Sequence, residues 1–102
     1  MISTFRIRAG KETEFAAVHA QAWPSYRRSG LVLDSPHLVM RGKDDAGKTY
    51  FVEILTWKRH DAPDRAPKEI QAIWSKLETL CESRDGHRGI EFPEVEIVHT
   101  LK

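Results

Sequence analysis

Among the residues able to do acid–base chemistry, His19 has the most constrained surroundings. Between residues 11 and 29, Phe15, Val18, His19, Ala22, Trp23 and Tyr26 recur at the spacing of one helical face. His19 lies about 40° around that helix from Phe15, so its imidazole must find a polar partner or a cavity. Two readings stand for it. It can act as a general base, since the ordinary histidine pKa of about 6.5 nearly matches a neutral working pH. It can equally be a buried histidine hydrogen-bonded to a strand side chain. Pro24 lacks the amide that would bond the Ala20 carbonyl, and the kink this produces opens space beside His19 and Trp23.

The aromatic residues Trp23, Tyr26, Trp57 and Trp74 offer a second kind of chemistry. Flat side chains with a polar handle suit flat ligands, whereas at the same spacings they also serve as plain core. His60 follows Trp57 closely enough to rim such a pocket. Glu53 is the one charged residue within the apolar run Tyr50–Trp57, and a carboxylate there must be paired or must face a functional cavity. Arg6 or Arg41 would neutralise it, across a subunit interface or within one chain, and this structural ion pair is the favoured reading over an acid–base role. His37, His60, His87 and His99 stand isolated on different segments, so they are expected on the surface and no metal site is expected. The chain has no glycine-rich phosphate loop, no nucleophile elbow and no basic surface interleaved with aromatics.

These residues need elements to position them. Residues 2 to 8 alternate as a first strand with Phe5 and Ile7 inward. The helix that follows has Glu12 and Glu14 in its first turn, Arg27 and Arg28 in its last and Gly30 as its cap, with a kink or restart near Trp23 enforced by Pro24, which costs an unbroken helix about 3 kcal/mol. His37 to Gly42 forms a second strand, turning through Asp44–Gly47 into Tyr50–Trp57. Pro67 sits in the first turn of a second helix with the stripe Ile70, Ile73, Trp74, Leu77, Leu80 and Cys81. A last strand runs from Ile90 to His99. The order βαββαβ predicts a single-domain α+β fold over residues 1–102, ferredoxin-like, with a four-stranded antiparallel sheet and two helices on one face.

The run Tyr50–Trp57 is apolar on both faces: Tyr50, Val52 and Ile54 on one, Phe51, Leu55 and Trp57 on the other. Two helices cover one face only, so the other is expected to meet a second copy of the chain. With 16 basic and 15 acidic residues, the net charge of +1 gives no broad field for nucleic acid or anionic membrane. The single cysteine, Cys81, excludes a disulfide framework and reads as a buried small hydrophobe. No apolar run reaches the roughly 20 residues of a membrane span, and residues 1–6 lack a signal peptide's hydrophobic region, so a cytoplasmic protein is expected.

The opening Arg8-Ala9-Gly10-Lys11-Glu12-Thr13-Glu14-Phe15 and the segment Tyr50-Phe51-Val52-Glu53-Ile54-Leu55-Thr56-Trp57 resemble the first strand–helix junction and the third strand of the dimeric α/β-barrel superfamily. The resemblance implies a homodimer paired through its sheets. It includes the antibiotic-biosynthesis monooxygenases, which need no cofactor, and implies Trp57 as a pocket tryptophan of the catalytic members. In that branch the substrate is deprotonated and its carbanion reduces oxygen, with His19 as base here, Tyr26 as donor to the developing oxyanion, and Trp23, Trp57 and Trp74 as walls. The alternative is a noncatalytic dimer that binds an apolar ligand or none. The haem-degrading members carry a first-strand asparagine and a histidine opening the second helix, which this sequence lacks.

Overall fold

The computed structural model describes residues 1–96, 98 and 99. Strands β1 (Ile2–Arg6), β2 (Leu38–Lys43), β3 (Thr49–Ile54) and β4 (Ile90–Glu91) form one sheet in the order β2-β3-β1-β4, every neighbouring pair antiparallel. Helices α1 (Glu12–His19), α2 (Ala22–Arg28) and α3 (Lys68–Thr79) pack together, and a 3₁₀ turn spans Ala62–Arg65. The expected first helix is thus two helices. The break falls at Ala20–Gln21, so α2 restarts with Pro24 in its first turn, where the missing amide leaves no intrahelical bond unmade. Pro67 caps α3, its carbonyl accepting the amides of Ile70 and Gln71.

Register divides the sheet cleanly. Ser3 and Phe5 of β1, the following Ile7, and Thr49, Phe51 and Glu53 of β3 are buried beneath the helices. The opposite face carries Ile2, Val52, Ile54 and Tyr50 half-buried, with Leu38 and Met40 of β2 52% and 45% exposed. Under the helices, one cluster gathers Phe5, Ile7, Phe15, Phe51, Leu77 and Leu80; a second gathers Ala22, Tyr26, Val32, Leu55 and Ile70. The apolar stripe expected of α3 supplies both.

The last strand is shorter than its sequence suggests. Pairing stops at Glu91, because Pro93 has no amide to give the ladder, and Phe92 and Val95 are each 62% exposed. Ile97, assigned to the same strand from sequence, lies outside the described residues.

One cation ties the loops at the far end of the sheet. The Arg84 side chain, 7% exposed, donates from Nη1 to the Ile7 carbonyl (2.8 Å), from Nη2 to the Thr49 carbonyl (2.7 Å) and from Nε to Asp44 Oδ2 (3.0 Å). Asp44 Oδ1 accepts the Ala46 and Lys48 amides, closing the β2–β3 turn, and the Lys48 bond, followed by Arg84 and the Ala46 bond, holds its carboxyl below the usual range. An Arg84→Met substitution removes the guanidinium but leaves the carbonyls and Asp44 without their donor. We expect a loss of about 3 kcal/mol of stability, read from urea unfolding midpoints at constant m-value; a change under about 0.5 kcal/mol, the range of ordinary surface substitutions, would show that the clamp carries no weight.

Candidate functional site

The two core clusters meet around a buried acid. Glu53 stands on the helix-facing side of β3 and is 2% exposed. His19, at the end of α1, bonds its Oε1 through Nε2 at 3.1 Å, and His37, just before β2, bonds its Oε2 through Nε2 at 2.9 Å. Both imidazole nitrogens donate to the ionised carboxylate. Burial alone would raise the Glu53 pKa, but the hydrogen bonds and charges of His19 and His37 outweigh it and hold the carboxyl below the usual carboxylate range. The expected ion pair with arginine is corrected: Arg6 lies on the opposite face of the sheet, where its Nη1 bonds Glu91 at 2.6 Å, and Arg41, opposite Phe51 on the Glu53 face, is exposed, while both oxygens of Glu53 are taken by histidines.

The two histidines differ sharply. His19 is 6% exposed and walled by Phe5, Phe15 and Phe51, with ring centroids at 5.3, 5.5 and 6.3 Å. His37 keeps 21% of its side chain in solvent and stacks flat on Trp23, centroids 3.7 Å apart and planes within 3°. They address different oxygens of one carboxylate rather than converging on a point, and among the described residues no group of three acidic, histidine or cysteine side chains is arranged to hold a metal ion.

On its other side Glu53 opens onto a cleft of about 1330 Å³ between sheet and helices, whose walls include Ser3, Phe5, Tyr26, Trp57, Trp74 and Leu77. Its aromatic wall is ordered by contact. Tyr26 and Trp57 pack at 5.3 Å, Trp57 and Trp74 meet edge to face at 6.4 Å, and Trp74 Nε1 donates to the Tyr26 hydroxyl at 2.6 Å. Burial, assisted by the negative charge of Glu53 and opposed by the Trp74 bond, pushes Tyr26 up to about 12, so it stays a neutral phenol that can donate its proton. Trp57 is held from outside the strand proper: its backbone bridges Val32, and Nε1 donates to Met1 Sδ at 2.9 Å. Cys81 also borders the cleft, but burial pushes its thiol up to about 12, well away from a reactive thiolate.

The structure brings Tyr26, Trp57 and Trp74 together on the cleft, as their spacings suggested. His19 bonds the floor of the site from behind and is not part of the cleft wall. Trp23 likewise lies off the cleft, against His37, and His60 is exposed and outside the wall. Sequence reasoning placed His37 on the surface; it belongs to the site. The signal was the hairpin register: the Asp44–Gly47 turn sets Val39 opposite Glu53, which puts His37 diagonally beside Glu53 on the same face.

A carboxyl whose folded pKa lies below its ordinary value of 4.5 stabilises the fold above that pH, and the contribution is lost as pH falls through the folded pKa. The stability gap between the wild type and Glu53→Gln should therefore be widest at neutral pH and shrink progressively below about pH 4.5. Denaturant midpoints measured across that range check this; a gap constant from pH 7 to pH 3 would mean the charge of Glu53 contributes nothing.

No protein-family model and no curated protein matches the sequence. Solved structures do. SnoaB, a cofactor-independent oxygenase from Streptomyces nogalater, superposes with a TM-score of 0.62 at 21% identity, covering 96% of this chain and 94% of that one. A point variant of SnoaB gives the same TM-score and coverage at 20% identity. Over nearly its whole length, this chain has the ferredoxin-like α+β fold of SnoaB, the fold that the resemblance to the dimeric α/β-barrel superfamily implied.

Proposed function

We propose that the protein is a cytoplasmic homodimeric oxygenase that takes a flat, apolar aromatic molecule into the Glu53 cleft and oxidises it without a cofactor. One observation carries this reading: an aromatic-walled cleft is lined by a buried carboxylate, held ionised and clamped on both oxygens. Such a group is poised to remove a proton from a carbon acid, and burial beside an apolar ligand strengthens it as a base by excluding water. Glu53 therefore takes the role of base that the sequence suggested for His19. The electron pair left on carbon reduces dioxygen; one oxygen atom remains on the former methylene carbon as a ketone and the other leaves as water. The electrons come from the substrate, so no cofactor enters. Tyr26, a neutral phenol in the cleft wall, donates to the oxyanion that develops as the proton leaves. The likeness in fold to a cofactor-independent oxygenase supports the reaction class.

The uncovered sheet face supports dimerisation. Ile2, Tyr50, Val52 and Ile54, with the exposed Leu38 and Met40, make an apolar surface that a second copy would bury. Val52→Asp places a charge at its centre and should convert a dimer into a monomer in sizing chromatography at low micromolar concentration. A wild-type monomer under the same conditions would overturn the assembly.

Activity is tested with bicyclic and tricyclic aromatic ketones bearing an acidic methylene, by oxygen uptake. Glu53→Gln should lower turnover by at least about 100-fold while leaving the affinity for the ketone within a few-fold, as expected of a base rather than a binding group. Binding of these ketones by the wild type with no oxygen uptake would replace the enzyme with a noncatalytic ligand-binding dimer.

A further inference from the structure

The stacked pair His37–Trp23 has no place in proton abstraction itself, yet it joins the buried carboxylate to solvent. The geometry points to His37 as the outlet through which the proton collected by Glu53 leaves the site, with Trp23 as the residue that positions its ring. This rests on the reading of Glu53 as the base. Glu53 is 2% exposed and has two imidazole neighbours. His19 is the more enclosed of the two, its side chain 7% exposed and packed by the rings of Phe5, Phe15 and Phe51. His37 reaches solvent, and among the described residues no protein hydrogen bond holds its Nδ1. The indole of Trp23, parallel at 3.7 Å, fixes the plane of the ring, so that Nε2 stays on Oε2 at 2.9 Å while the ring's outer edge faces water.

The protons balance over one cycle. In the resting site the Nε2–H of His37 donates to the carboxylate. When Glu53 takes the substrate's proton, the carboxyl becomes a donor, and His37 changes tautomer through solvent, releasing its Nε2 proton to water and taking one from water at Nδ1, so that a bare Nε2 faces the carboxyl. The proton on Oε2 then passes to Nε2 as the proton on Nδ1 passes to water. The carboxylate is restored, His37 is again in the Nε2–H form, and one proton has left. His19, with 7% of its side chain exposed against 21% for His37, keeps its proton and anchors Oε1 throughout.

Hydrogen–deuterium exchange at the acidic methylene of 2-tetralone in D₂O, followed by proton NMR, reads the outlet directly. A base with an open route washes the substrate's hydrogen into solvent; one without returns it to the same carbon. His37→Gln keeps an amide donor for Glu53 but has no second ring nitrogen. It should slow exchange at least tenfold while the affinity for 2-tetralone, read by tryptophan fluorescence, stays within twofold. Added imidazole should restore exchange to His37→Ala and not to Glu53→Gln, a rescue that a merely structural role would not give. A second measurement needs no turnover: in the wild type, the imidazole Nε2–H of His37 should exchange with water at least tenfold faster than that of His19. Exchange by His37→Gln within twofold of the wild type, or an Nε2–H of His19 as labile as that of His37, overturns the outlet. If the wild type and Glu53→Gln are equally inert towards 2-tetralone, the reading of Glu53 as base fails, and the two imidazole exchange rates alone decide whether His37 is its route to solvent.

Discussion

Burying one carboxylate sets the terms for the rest of this molecule. An isolated ionised carboxyl costs several kcal/mol to take from water, so Glu53 at 2% exposure is sustainable only with donors on both oxygens. The carboxylate and its two donors come from three separate stretches of chain: His19 closes α1, His37 leads into β2, and Glu53 lies on β3. The βαββαβ path makes this possible. It delivers the end of the first helical layer and the start of the edge strand to the same side of β3, and the hairpin register then fixes His37 diagonally to Glu53. The aromatic wall adjoins the same centre: burial, with a smaller contribution from the charge of Glu53, raises the pKa of Tyr26.

The fold was readable in the sequence where periodicity changed. A two-residue alternation in residues 2–8 and 50–55, a helical period in 11–29 and 67–81, and turn chemistry at Asp44–Gly47 specify the element order with few alternatives. Ends were less readable, since they depend on hydrogen bonds made or refused by neighbours: Pro93 ends the last strand early and Pro24 divides a helix that the apolar stripe alone would run through. The site was readable in part. Tyr26, Trp57 and Trp74 declare themselves by spacing, because an aromatic on an inward face has few places to go. Glu53 and its partners do not, because a carboxylate carries no local mark of which basic group will meet it. Arginine was the natural expectation by charge, but pleat direction places Arg6 on the far face, and the histidines that reach Glu53 come from the end of α1 and, through the pairing of β2 with β3, from residue 37.

The sheet thereby separates two physical tasks. Its helix-facing side carries the buried Ser3, Thr49 and Glu53 and the aromatic cleft; its other side combines an apolar area around Val52 with the Arg6–Glu91 ion pair. Because side chains alternate along β3, Val52 and Glu53 are adjacent in sequence yet answer to different environments, and each can change with little direct contact with the other.

The interruption at Ala20–Gln21 is more than a consequence of Pro24. In one continuous helix, the residues that hold His19 and Trp23 would be locked in a fixed rotational relation of about 100° per residue. With the helix divided, α1 can keep its ring against the aromatic core while α2 turns as a separate body to lay an indole on His37. One short stretch of chain thus addresses both ends of the same carboxylate, and insertions or deletions at the joint would re-aim the solvent end of the network without disturbing its anchored end.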